Sequence, residues 1–65
     1  MHVHNRVQKH RLERQLTQQE LADKVDVSRQ TIIAIEQGNY TPSVLLALKI
    51  ARIFKVPLED VFYLS

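Results

Sequence analysis

The stretch that decides the fold is TQQELADKVDVSRQTIIAIEQ, from Thr17 to Gln37. It opens with Thr17-Gln18-Gln19-Glu20, the spacing of a capping box. There a Thr hydroxyl and a Glu carboxylate each satisfy a backbone N–H left unpaired by the first helical turn. Leu21, Ala22 and Val25 then recur at helical spacing. Asp26-Val27 breaks that pattern, and Ser28 supplies a second N-cap ahead of Ile32 and Ile35, which lie three apart on one helix face. The stretch therefore predicts two short helices joined by a tight turn. Ala22 sits where the two cross, and its small side chain lets them approach closely.

Working outward, Asn5 is a cap for a first helix running to about Arg14. Gly38 stands where a helix ending near Gln37 wants a left-handed residue. Thr41 or Ser43 caps the next helix, with Pro42 tolerated in a first turn. Val44–Phe54 is apolar nearly all round, the mark of a central, buried helix. Leu58–Val61 forms a last turn after Pro57. The prediction is an all-α fold of five helices, two of them very short, filling one domain over residues 1–65. At the ends, His2-Val3-His4 and Val61-Phe62-Tyr63-Leu64 are β-tolerant and are expected to pair as a two-stranded ribbon, marginal unless packed on something else.

Composition narrows the function. The chain has 65 residues, 45% hydrophobic and 25% charged, with no Cys. Disulfides and thiolate metal sites are excluded, which favours a reducing, cytoplasmic setting. The longest apolar run, Val44–Leu48, is far short of the ~20 residues a membrane span needs. The first residues lack the basic start and apolar core of a signal peptide. Sixty-five residues leave little room for both a core and a substrate cavity. No nucleophile–base pair or phosphate loop is visible, and adjacent Glu59 and Asp60 are explained by a helix start, so an enzyme is the poorest reading. His2, His4 and His10 have no Cys beside them, and no metal or other cofactor is expected. A formal charge of +2 permits an anionic partner without demanding one.

The second helix of the motif carries the sharper signal. At about 100° per residue, the face opposite Ile32 and Ile35 holds Gln30, Ile33, Ala34 and Gln37, with Arg29 flanking. Gln, Arg and an unburied Ile make an odd solvent face. They make sense in the major groove of B-DNA, where Arg forks onto guanine, Gln pairs with adenine and an apolar side chain meets the thymine methyl.

At this point the chain resembles a known family. The ordered set Leu16-Thr17-Gln18-Gln19-Glu20-Leu21-Ala22, Val25-Asp26-Val27-Ser28-Arg29-Gln30-Thr31-Ile32 and Ile35-Glu36-Gln37-Gly38 is similar to the phage Cro and repressor-type helix-turn-helix. The similarity continues through Pro42-Ser43-Val44, Ala47–Ala51 and Val56–Phe62, covering nearly everything from Arg6 onward. It implies a lambda-repressor-like, five-helix DNA-binding fold, usually dimeric, whose second motif helix enters the major groove. By position, Arg29, Gln30, Ile33 and Ala34 match the base-facing set. Thr17, Gln18, Ser28, Thr31, Gln37, Asn39 and Tyr40 match positions that touch the phosphate backbone. Arg11 and Glu36 match an internal ion pair joining the first helix to the recognition helix.

Two residues depart from the family pattern. Asp26 stands where the turn generally has Gly, and His10 where an apolar residue is usual. Val61, Phe62, Tyr63 and Leu64 close the chain with large apolar side chains. They are expected to lie in a two-fold dimer interface, the alternative being that they fold back on their own core. The implied activity is a sequence-specific double-stranded DNA-binding transcriptional regulator, a repressor acting as a homodimer on a roughly palindromic operator. Its half-sites would lie one helical turn, about 34 Å, apart. The rival is a protein-interaction module or antitoxin built on the same fold, with the Gln/Arg/Ile face as a docking patch. No small-molecule effector is evident.

Overall fold

A computed structural model describes residues 1–65. Its elements, in order, are β1 (Val3–Asn5), α1 (Val7–Glu13), α2 (Gln18–Val25), α3 (Arg29–Glu36), α4 (Val44–Phe54), α5 (Leu58–Val61) and β2 (Phe62–Leu64). The five helices and the terminal ribbon are the expected architecture. Only α5, at four residues, is very short; α1 runs to seven.

The helix starts follow local chemistry. Thr17 and Glu20 form the complete capping box of α2. Ser28 caps α3 through Thr31 N. Ser43, not Thr41, caps α4 by accepting from Leu46 N. At α1 the expected cap moves by one: Arg6 is the N-cap residue and gives no side-chain bond. Asn5 still serves that end from one residue earlier, because its Oδ1 accepts from Val7 N at 3.1 Å. Its Nδ2 donates to Ile35 O at 2.8 Å, so one side chain joins the ribbon, the start of α1 and the end of α3.

Helix ends are less visible in the sequence. Gly38 has φ +79° after α3, as expected. Asp26 takes the left-handed conformation at φ 62°, and Gln15 and Lys55 do the same at 57° and 59°. Non-glycine residues occupy that region at a cost, least for Asn and Asp. A search for glycine finds one of these four helix stops and misses the rest.

One apolar cluster holds every helix. Val7, Leu21, Ala22, Ile32, Ile35, Ile50 and Val61 are wholly buried, with Val25, Leu46, Ala51 and Phe54 beside them. At about 1.5–3 kcal/mol for each large aliphatic side chain taken from water, this cluster is the main favourable term. Ala22 is fully buried on α2, as a close crossing of α2 and α3 requires.

The ribbon is antiparallel, with Val3 opposite Leu64, His4 opposite Tyr63 and Asn5 opposite Phe62. Val61 is not part of it. It belongs to α5 and is fully buried, so Val61 has no surface to give a dimer partner and leaves the expected interface. It shares the common core with Ile50 and Phe54. Phe62 is half-buried and packs on that core. Tyr63 is half-buried, with the Arg6 guanidinium 4.0 Å from its ring centroid and His4 against it. Leu64 remains exposed.

His10 is mostly covered. Its ring stacks on Phe54, with centroids 5.4 Å apart, and its Nε2 lies 3.2 Å from Asp60 O. Arg14 approaches the other ring nitrogen at 3.2 Å and donates to Phe54 O at 2.7 Å. A polar residue is tolerated there because Asp60 and Arg14 satisfy both its nitrogens. No helix is long and apolar enough to cross a membrane.

Candidate nucleic-acid interface

α3 is two-sided. Ile32 and Ile35 are fully buried. Arg29, Gln30 and Gln37 are exposed on the other side, with Ile33 and Ala34 half-buried between the two. The five residues predicted to face bases or flank them thus lie on one open surface. Ile33 divides its area between the protein and that surface, so it can offer a methyl edge at a lower solvation cost than a fully exposed Ile.

The N-terminal ends of α2 and α3 meet beside this face. Arg11, Thr17, Gln18, Gln19 and Arg29 line an open depression with no apolar wall. The Thr17 hydroxyl accepts from Glu20 N at 3.0 Å, which leaves its own proton free to donate. The Glu20 carboxylate accepts from Thr17 N at 2.8 Å. That backbone bond, with the Thr17 side chain and then Lys24 adding to it, holds the Glu20 carboxyl below its ordinary value of 4.5. Helix amides aimed at solvent, with a cation nearby, suit an anionic oxygen.

Behind the face stands the Arg11–Glu36 pair. Arg11 Nε donates to Glu36 Oε2 at 2.7 Å and Nη2 to Oε1 at 3.2 Å, a two-pronged contact. Arg11 Nη1 donates to Leu16 O at 2.8 Å, and Gln18 Nε2 donates to Glu36 Oε1 at 3.1 Å. Both charged side chains are nearly excluded from water, at 8% and 4% exposure. The pair expected from the family pattern is therefore formed, and it fastens α1 to α3. Sequence reasoning did not find the third member. By position Gln18 matches a phosphate contact, yet one of its amide protons is committed to Glu36, leaving the second and its backbone N–H. Gln18 opens α2 and Glu36 ends α3, separate helices with a turn between them, so no local signal in the sequence pairs Gln18 with Glu36.

The remaining backbone-contact candidates lie at the margins. Ser28 and Thr31 are tied to each other, their oxygens 3.1 Å apart at the start of α3. Past its end, Asn39 Nδ2 donates to Gln37 Oε1 at 3.3 Å, and Asn39 N donates to Ala34 O at 2.9 Å. Tyr40 is about half exposed at the head of the α3–α4 loop. These residues flank the α3 face at both ends without covering it.

Comparison with known proteins agrees with this geometry. A helix-turn-helix family model matches residues 7–61. An uncharacterised HTH-type transcriptional regulator of Methanocaldococcus jannaschii is 55% identical over 58 residues, covering 89% of this chain and 88% of the relative. YgzD of Bacillus subtilis, likewise an uncharacterised HTH-type transcriptional regulator, is 48% identical over 61 residues, covering 94% and 92%. The cryptic phage CTXphi transcriptional repressor RstR of Vibrio cholerae is 34% identical over 50 residues, covering 77% of this chain and 45% of RstR. A crystal structure of a candidate DNA-binding protein from Bacteroides fragilis shares the fold, with a TM-score of 0.85 at 24% identity over 94% of this chain and 98% of that one. With the two capped helices, the sealed Ala22 and the Arg11–Glu36 tie in place, and the family model spanning them, this chain belongs to the helix-turn-helix family.

Proposed function

We propose that this protein is a sequence-specific double-stranded DNA-binding transcriptional regulator, a repressor that acts as a homodimer on a roughly palindromic operator in the cytoplasm. The observation that carries the proposal is the free outer face of α3, with Arg29, Gln30 and Gln37 exposed and Ile33 and Ala34 beside them. Arg29 and Gln30 supply the hydrogen-bonding forks for guanine and adenine, and Ile33 the apolar contact for thymine. The amides and hydroxyls around Thr17, Gln18, Ser28 and Thr31, with Asn39 and Tyr40 beyond Gln37, hold the phosphates on either side. RstR, a relative, is a transcriptional repressor, which supports repression as the outcome.

An eight-residue recognition helix reads few base pairs, so useful specificity calls for two copies. The molecule measures 30 × 22 × 20 Å. Two copies side by side therefore suit recognition helices one duplex turn, about 34 Å, apart. With a net charge of only +2, neutral amides share the phosphate contacts. The salt dependence of binding should accordingly be real but moderate, each cationic contact adding roughly 0.9 to the log–log slope.

Selection of bound duplexes from a random pool tests the proposal. A consensus with two related half-sites is expected. Recovery of no consensus would assign the α3 face to a protein partner, as in an adaptor or antitoxin.

A further inference from the structure

Nine Lys and Arg side chains carry the positive charge of this chain, and four of them stand round one groove. Lys24 from the end of α2, Lys49 and Arg52 from α4, and Lys55 at the α4 C-cap border a cleft of about 410 Å³. All four are exposed, and Asp26 is the one acidic residue in the lining. The ion pairs of the fold use Arg11, Arg14 and His10 with Glu36 and Glu13, and none of these four. Val25, buried, and Ile53, half-buried, are the apolar residues of the cleft and lie beneath its cations.

The stability of the helices does not account for this cluster. Cations in a last turn complement the helix dipole, which covers Lys24 and Arg52. Lys49 stands more than a turn before the end of α4 and one turn from Arg52, where like charges repel. Lys55 is left-handed at φ 59°, a conformation that glycine takes at no steric cost. We infer that this groove docks an acidic segment of a partner protein, with carboxylates spaced around an apolar side chain. Charge complementarity sets the sign of the ligand, and helix polarity decides its kind. Phosphate is favoured where helix N-terminal amides point at it. Two helices end at this groove instead. The Asp26 N–H donates to Ala22 O and Asp23 O, and the Lys55 N–H to Ala51 O and Arg52 O, so neither serves a ligand. An anion here is held by side chains alone, and Ile53 stays wet unless the ligand also brings an apolar group. A peptide carries both, and the Lys and Arg stems can lie along it.

The groove lies apart from the α3 face. None of Arg29, Gln30, Ile33 and Ala34 lines it, so a docked segment leaves that face uncovered. Lys49 also borders the neighbouring depression that holds Thr31 and Tyr40, which makes a duplex phosphate the competing ligand at that edge. Exposed charge pairs are individually weak and are screened by salt. Docking is therefore weak, rapidly reversible and salt-sensitive.

Amide NMR of the full, isotope-labelled chain without DNA tests this whether or not α3 reads a duplex. The probe is a short synthetic peptide of aspartate and glutamate with one central leucine. Shifts should concentrate at Lys24, Lys49, Arg52, Ile53 and Lys55 and leave Gln30 and Ile33 unmoved, and binding should weaken as salt is added. A peptide with serine in place of the leucine should bind several-fold more weakly. Lys49→Glu/Arg52→Glu, whose folding is checked by circular dichroism, should lose at least tenfold in affinity for the leucine peptide. The milder Lys49→Gln/Arg52→Gln should lose less and hold a half-site duplex within about threefold of wild type. No binding of the leucine peptide, shifts centred on Arg29, or equal affinity for the serine peptide would overturn the proposal. So would tighter binding of inorganic tripolyphosphate at the groove, which would mark a phosphate site. A loss of duplex affinity in the Gln variant as large as its loss of peptide would make the cluster an extension of the DNA contact instead.

Discussion

α3 and α4 are built alike and finished differently. Each buries an aliphatic side in the same core: Ile32 and Ile35 from α3, Ile50 and Phe54 from α4. Outward, α3 shows Arg29, Gln30 and Gln37, while α4 shows Val44, Leu45 and Leu48. The inner sides differ only in detail, and the outer sides differ in kind. Donors and acceptors set on a rigid rod suit the edges of base pairs, which present the same groups. An aliphatic outer side suits only another aliphatic surface. The contrast extends to what stands behind each face: α3 is fastened by the buried Arg11–Glu36–Gln18 network, whereas α4 is held by apolar packing and one Ser cap.

That contrast can be broken most severely at Arg11. Arg11→Met leaves Glu36 buried without its cation, and unfolding in urea should show a loss of about 3–5 kcal/mol. Leu48→Ser, on the open side of α4, should stay within about 0.5 kcal/mol of wild type. An Arg11→Met protein as stable as wild type would mean that the network does not support α3.

Next in size is the α3 surface itself. Arg29→Ala should weaken binding to the selected duplex by about 1–3 kcal/mol and relax preference at one base position, as read by titration against single-base variants. Equal weakening on all sequences would make Arg29 a phosphate contact instead. Leu48→Ser should leave affinity for a single half-site unchanged, which separates the two faces directly.

The capping box of α2 comes third. Thr17→Ala should cost about 1 kcal/mol of stability in thermal or urea unfolding. The same box predicts a pH effect. Because the Glu20 carboxyl sits below its ordinary value of 4.5 in the folded chain, its contribution is complete above that value and declines as pH falls through the lower folded value. Replacing Glu20 with Gln should flatten this part of the stability–pH curve while leaving the neutral region of the curve similar in shape.

The smallest change should be a gain. Asp26 is left-handed at φ 62° and places a carboxylate at the C-terminal end of α2, where the helix dipole disfavours it. Asp26→Gly relieves both, against the extra freedom glycine brings to the unfolded chain. A net stabilisation below about 1 kcal/mol is expected. A clear loss would show that the Asp26 side chain makes the turn rather than merely tolerating it.

Much of this protein was legible in order. Thr17, Ser28 and Ser43 are caps because their hydroxyls reach backbone amides three residues on, a local geometry that the sequence encodes directly. The two-sidedness of α3 follows from Ile32 and Ile35 at a spacing of three. Glycine spacing, by contrast, was a poor guide to helix ends, since Gln15, Asp26 and Lys55 bear the left-handed conformation; only Asp26 is signalled in advance, by standing where the family pattern has Gly. Arg11 and Glu36 lie 25 positions apart, and only the family resemblance brought them together in advance.

What the chain of residues determined by itself is whatever depends on neighbours within about four positions: helix starts, buried stripes and the polar outer face of α3. What only the tertiary structure decided depends on which surfaces the packed elements leave over. Val61, apolar and near the end, was available on paper to a partner and is consumed by the core, while Leu45 and Leu48, apolar and in the first half of α4, read as core and remain outside. An aliphatic side chain seeks cover from water without direction, so its own sequence cannot say which cover it will find.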